Sequence, residues 1–269
     1  MGKKRRCPKE PSARSDECSC GERGEHHCLA LLRTGRIVAW GSNASSVLDV
    51  PKGLPRITAI AAGWNHNLAL TDAGLVVGWG ANRCGQATPP GTLSNVVAIA
   101  AGFAHSMALG KDGRVVTWGD TNWAFSRWAI SVPAGVSNVT AIASGSFHCL
   151  ALKRDDTVAA WGAGLKNNQF AYELGQCVVP SEASNIVAIA AGGTHSIALN
   201  PSGNVFAWGN DYYRETEIPA GLGQVRAIAA GKQPKSGAIA GWIRRSLGVV
   251  CEGESTREFA QSESHWGGR

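Results

Sequence analysis

Charged residues make up only 17% of this 269-residue chain, methionine occurs twice and tyrosine three times. No apolar run reaches the ~18 residues that a membrane span requires. The longest approach to one, near Ile239 to Val250, is split by Arg244 and Arg245. The basic start Lys3-Lys4-Arg5-Arg6 has no apolar stretch behind it, so it does not read as a secretory signal and a cytoplasmic, soluble protein is expected. Such a run serves nuclear import in some proteins, but a solvated, disordered terminus is the commoner meaning. There is no Gly-x-Ser-x-Gly elbow, no phosphate-binding loop and no pair of carboxylates spaced for acid–base work. Enzyme chemistry is therefore not expected, no catalytic residue is assigned and no cofactor is implied.

Eight cysteines without periodic placement do not make a disulfide framework. Free thiols are the default in a cytosolic chain. Cys18, Cys20, His26, His27 and Cys28 place thiols and imidazoles close together, as zinc sites do, but their spacing matches no common zinc module. No metal is assigned; zinc at Cys18, Cys20, His26 and Cys28 stays the minority reading.

The net charge of +6 sits mostly at the two ends. Residues 1–23 carry +3 and residues 232–269 carry +2, leaving +1 for the 208 residues between. A basic groove for nucleic acid would need that charge on the folded part, so a nucleic-acid partner is not expected.

What the chain does have is glycine (34), tryptophan (10) and a period. Trp-Gly ends a strand-like run at Trp40, Trp79, Trp118, Trp161 and Trp208, and a histidine recurs at His27, His66, His105, His148 and His195 with the same spacings of 39, 39, 43 and 47. Gly63, Gly102, Gly145, Gly192 and Gly231 close five runs worded like Ala-Ile-Ala-Ala-Gly. Three markers moving in register define a tandem repeat of about forty residues.

Each unit breaks into an apolar segment A that shrinks to alanine, and alternating segments B and C joined by a turn such as Asp112-Gly113. An irregular C–D loop follows Trp-Gly and ends near a proline (Pro51, Pro90, Pro133, Pro180 or Pro219), which suits an edge strand or connector. Three or four short strands per unit make a twisted sheet that cannot bury both faces alone, so the units must stack. The fold expected is an all-β propeller over residues 24–231 with five countable blades, and a solenoid is its competitor. Residues 1–23 are expected to be a disordered basic terminus and 232–269 an atypical tail. Segment A precedes four of the five B–C hairpins; the first hairpin, 27–41, lacks one, and the fifth segment A, 225–230, lacks a hairpin. Pairing those two halves would close the ring.

The copy from Val97 to Gly119, Val-Ala-Ile-Ala-Ala-Gly-x-x-His-Ser-x-Ala-Leu, then Asp-Gly-x-Val, then Trp-Gly, resembles the regulator-of-chromosome-condensation repeat, in the compact bacterial form represented by β-lactamase inhibitory protein II. The resemblance covers residues 24–231. It implies a protein–protein interaction module on a propeller that in this family usually has seven blades, so the chain reads as a five-bladed variant or a truncated one.

Strand direction places the A–B turns and C–D loops on one face and the B–C turns on the other. The first face carries Trp64, Phe103 and Phe147 on A–B turns, and Trp123, Phe125, Trp128, Phe170, Tyr172, Tyr212 and Tyr213 on C–D loops, with Asp120 and Asp211 beside them. Exposed aromatics anchor protein interfaces, so these twelve are the expected partner-binding residues, with local packing of the loops as the competing explanation. A protein partner for a monomeric scaffold is expected. The alternatives are carbohydrate or small-ligand binding between blades, and a repeat fragment without specific function. The recurring histidine is read as structural, a ring nitrogen bonding to a neighbouring turn.

Overall fold

The computed structural model describes residues 18–24, 26–119, 131–165, 167–170, 173–222 and 224–231. They form five three-stranded antiparallel sheets, each one repeat unit, and a small hairpin. Blade 1 holds β1 (Cys18–Arg23), β2 (His27–Leu32) and β3 (Ile37–Gly41). Blade 2 holds β4 (Ile57–Ala62), β5 (His66–Thr71) and β6 (Val76–Gly80). Blade 3 holds β7 (Val96–Ala101), β8 (His105–Gly110) and β9 (Val115–Gly119). Blade 4 holds β10 (Val139–Ser144), β11 (His148–Lys153) and β12 (Val158–Gly162). The hairpin is β13 (Asn167–Phe170) with β14 (Glu173–Leu174), and blade 5 holds β15 (Ala188–Ala191), β16 (His195–Leu199) and β17 (Val205–Gly209).

The central B strands, made of alternating apolar and small residues, are buried almost throughout. The core is not inside any sheet but between sheets. Four apolar clusters fill the four gaps between consecutive blades: Leu29, Ile60 and Trp79 belong to the first, Leu68, Val96 and Trp118 to the second, Met107, Val139 and Trp161 to the third, and Leu150, Ile186 and Trp208 to the fourth. The tryptophan of each Trp-Gly pair from blade 2 onward is thus inter-blade packing. The A strands of consecutive blades also pack on one another, and their alanines permit that close approach.

Backbone hydrogen bonds clip the blades at both ends. On the B–C side the amide opening each new segment A donates to the preceding turn: Val96 N to Gly74 O (3.1 Å), Val139 N to Gly113 O (3.1 Å), Ile186 N to Asp156 O (3.0 Å). On the other side Trp64 N donates to Gly102 O (3.0 Å), Phe103 N to Ser146 O (3.1 Å) and Gly193 N to Gly231 O (3.1 Å).

Several expectations change. Blade 1 has its own A strand: β1 pairs with β2 in the register of the other blades, including the same irregularity at its start. Residues 18–23 therefore belong to the sheet although they carry no repeat wording. The pairing of 225–230 with the first hairpin is not detected among the described residues, where β1 lies along that edge of β2. Among the described residues no fourth strand joins any of the five sheets. Pro90, Pro133 and Pro180 instead start turns, their carbonyls accepting from Leu93, Val136 and Ala183.

Candidate functional site

The A–B turns bring three rings into one row. Trp64 and Phe103 directly follow the glycines that close β4 and β7, and the clips at Gly102 and Ser146 hold successive turns side by side. Phe147 comes one position later, after Ser146. The ring centroids of Trp64 and Phe103 lie 4.8 Å apart at 48°, and those of Phe103 and Phe147 lie 5.1 Å apart at 35°. Both distances are in the range of favourable aromatic pairs. Trp64 and Phe103 are half-buried, whereas Phe147 is only 5% exposed. The row is thus anchored at Phe147 and opens toward Trp64. In blade 5 the corresponding positions are Gly193 and Thr194, so the row stops there.

The C–D loop after β17 presents a second pair. Tyr212 is 80% exposed and meets Tyr213 edge-on, centroids 4.7 Å apart at 84°. Asp211 serves this loop internally: its Oδ1 accepts from Thr216 N (3.0 Å) and Thr216 Oγ1 (2.7 Å). Glu215 adds two bonds, from Asn210 Nδ2 (3.1 Å) and Tyr213 N (2.8 Å). Asp120, Trp123, Phe125, Trp128 and Tyr172 lie outside the described residues, and Phe170 is described only as the last residue of β13.

The histidines form a relay that the repeat spacing alone did not reveal. His27 Nε2 meets Asn67 Oδ1 (2.7 Å), His66 Nε2 meets Ser106 Oγ (2.9 Å) and His148 Nε2 meets Ser196 Oγ (3.0 Å), each in the B strand of the next blade rather than in a turn. The acceptor passes the bond on: Asn67 Nδ2 donates to Val47 O (2.9 Å), Ser106 Oγ to Gln86 O (2.7 Å) and Ser196 Oγ to Gln176 O (2.9 Å). The same three carbonyls accept from Trp79, Trp118 and Trp208 Nε1 at 2.9, 3.0 and 2.9 Å. Serine and asparagine can both accept on one side and donate on the other, which fixes the imidazole as the Nε2–H tautomer. Each glycine closing segment A leaves no room for a side chain, because a Cβ on Gly63, Gly102, Gly145 or Gly192 would run into the ring of the following histidine.

Burial sets the titration of these groups. His148 is pushed down to about 3 by burial first, then by the neighbouring His195 and His105, and His195 is pushed down to about 4 by burial. Burial likewise raises the Cys149 thiol well above the ordinary range, and raises Cys177 to about 12. On the B–C side Asp155 accepts from Thr157 Oγ1 (2.5 Å) and Thr157 N (3.2 Å) and pairs with Lys153 (3.0 Å), the first of which chiefly lowers its carboxyl to about 2. This pins a turn. Among the described residues no three His, Cys, Asp or Glu side chains converge as metal ligands, and no helix is long and apolar enough to cross a membrane.

Sequence comparison matches the regulator of chromosome condensation (RCC1) repeat at residues 57–86, 96–122, 139–170 and 186–215. The chain belongs to the RCC1 repeat family. The RCC1 repeats cover blades 2 to 5, and β1–β3 add a further unit with the same topology. Similar solved structures include yeast RCC1 (Prp20) bound to Kap60, with a TM-score of 0.62 and 22% identity over 79% of this chain and 65% of that one. The ectodomain of the receptor kinase CR4 from Physcomitrella patens matches with a TM-score of 0.62 and 23% identity over 77% of this chain and 55% of that one. Human WBSCR16 matches at 0.60 and 20%, over 78% and 68%. This chain therefore spans less than two thirds of the first two. These likenesses establish the RCC1 β-propeller fold and do not bear on the narrower bacterial form. No curated protein sequence matches it.

Proposed function

We propose that this RCC1-repeat chain is a non-catalytic scaffold that takes a partner protein on its A–B and C–D loop face. The row Trp64–Phe103–Phe147 carries the reading: one ring from each of three consecutive blades, in tilted contact, with Trp64 and Phe103 partly exposed. A preordered aromatic strip loses little entropy on docking, the property that makes tryptophan and tyrosine interface anchors. Tyr212, held by a stapled loop, adds an exposed ring on the same face. The yeast RCC1 structure contains a bound protein, Kap60, and a protein partner of different identity is proposed for this chain by analogy of fold.

The experiment is affinity capture from source-cell lysate with the wild-type chain beside a Trp64→Ala/Phe103→Ala/Tyr212→Ala variant that still melts cooperatively well above the capture temperature. Proteins retained by the wild type and lost by the folded variant support the reading. Equal retention by both rejects the face.

A further inference from the structure

Blade 1 is built on a poor A strand. In blades 2 to 5 an isoleucine of segment A stands opposite a B-strand alanine: Ile60 with Ala69, Ile99 with Ala108, Ile142 with Ala151 and Ile189 with Ala198. In blade 1 the residue opposite Ala30 is Gly21, and Glu22 and Arg23 follow where the other blades have alanine or serine. Residues 225–230 have the opposite problem. They read Val-Arg-Ala-Ile-Ala-Ala, with Ile228 in the isoleucine place, yet no B strand pairs with them among the described residues. They are already seated on blade 5 as a next A strand would be: Val225 is buried, Val225 N donates to Gly203 O (3.3 Å) and Gly193 N to Gly231 O (3.1 Å).

Two more groups at this edge point to a missing B–C hairpin. His195 is 4% exposed, and its Nε2, the atom that in the other four repeat histidines reaches the next blade, has no partner among the described residues. Glu215 occupies the place of Gln86 and Gln176, accepting from the amide two residues before it as they do. Their carbonyls each take a tryptophan Nε1, but no described indole reaches the Glu215 carbonyl. The sequence after Gly231 lacks the repeat wording: counting from that glycine puts Pro234, Lys235 and Leu247 where the repeat has histidine, serine and tryptophan. Blade 1 has all three, in His27, Cys28 and Trp40. Trp40 is half-buried while the other four repeat tryptophans are buried, and no described residue accepts from its Nε1.

We propose that residues 225–230 of one copy replace β1 on β2 of a second copy, completing a blade from two chains. His195 then faces Cys28 of the second copy, and the Glu215 carbonyl accepts from its Trp40. The new pairing follows the register of blades 2 to 5 and exchanges Gly21, Glu22 and Arg23 for Ile228, Ala229 and Ala230. Strand addition of this kind gains its affinity from main-chain bonds and its specificity from alternate side chains. The second copy is the occupant because among the described strands those of blade 1 pack chiefly on blade 2 and those of blade 5 chiefly on blade 4, with no comparable packing between blades 1 and 5. The chain is then a self-associating one, against the monomer expected from its sequence.

The test uses the register. Replacing β1 by 225–230 sets Ala230 opposite Cys28, the place Arg23 now holds. The full chain carrying Ala230→Cys is oxidised mildly and sized without reductant, beside Ala230→Cys/Cys28→Ser. Covalent species of two or more chains that grow with concentration and vanish in the control are expected. A disulfide closed within one chain, or no difference from the control, overturns the proposal. Sedimentation of the wild type gives a cysteine-independent measurement. Concentration-dependent association, lost in an Ile228→Asp variant that still melts cooperatively, is expected; a wild type that stays monomeric at every concentration overturns the proposal.

Discussion

Ser144 Oγ lies 2.8 Å from His105 Nε2, and Cys149 Sγ lies 3.4 Å from the same nitrogen. Blade 4 thus solves the histidine relay with two substitutions. Where blades 2, 3 and 5 place asparagine or serine, it has Cys149, a weak partner. Where they end segment A in alanine (Ala62, Ala101, Ala191), it has Ser144. Ser144→Ala should cost about 1–2 kcal/mol, as a buried imidazole N–H loses its strong acceptor. Cys149→Ser in that background should restore most of the loss. Urea unfolding of the four combinations measures the coupling, and simple additivity would contradict the compensation.

The buried histidines predict acid sensitivity. His148 and His195 stay neutral in the fold down to about 3 and 4, while an unfolded histidine titrates at about 6.5. Between those values the unfolded chain binds protons that the folded chain does not. Stability is therefore full above pH ~6.5 and falls as pH drops toward 4, by up to about 1.4 kcal/mol per pH unit for each such histidine. Urea midpoints across this window check the slope, and His148→Gln should flatten it. An unchanged midpoint across the window would falsify the assignment.

The aromatic row should separate into an anchor and a tip. Phe147→Ala should cost about 3–5 kcal/mol, the range for a buried phenylalanine. Trp64→Ala, at the half-buried end, should cost about 1 kcal/mol. Comparable losses in thermal melts would mean that Trp64 is a packing residue and unavailable to a partner.

The B–C turns offer a backbone test. Gly113 has φ +78°, and an added Cβ would stand 3.1 Å from Asn138 Cα and Val139 N. Asp156 occupies the matching turn of blade 4 with φ 61°. Gly113→Ala should destabilise by about 1–2 kcal/mol, and Asp156→Gly should be neutral or stabilising by up to about 1 kcal/mol. Chemical denaturation distinguishes them.

Much of the architecture was legible in advance because a repeat reports each contact several times. The A, B and C segments, their turns and the tryptophans between blades all fall where the period places them. Segment β1 was missed because Cys-Ser-Cys-Gly-Glu-Arg has no repeat wording; it pairs because β2 otherwise shows an open edge beside it. The relay was missed for a related reason. Position 67, 106, 149 or 196 varies among asparagine, serine and cysteine, and its partner lies about forty residues away.

The sequence by itself determined the period, the strand order and the residues that repeat, since alternation, glycine turns and register are local properties of the chain. Tertiary structure alone decided that the cores lie between sheets, that His105 turns to Ser144, and that Trp64, Phe103 and Phe147 form one row. Those outcomes depend on distances between units, which burial and inter-blade hydrogen bonds set and no single repeat encodes.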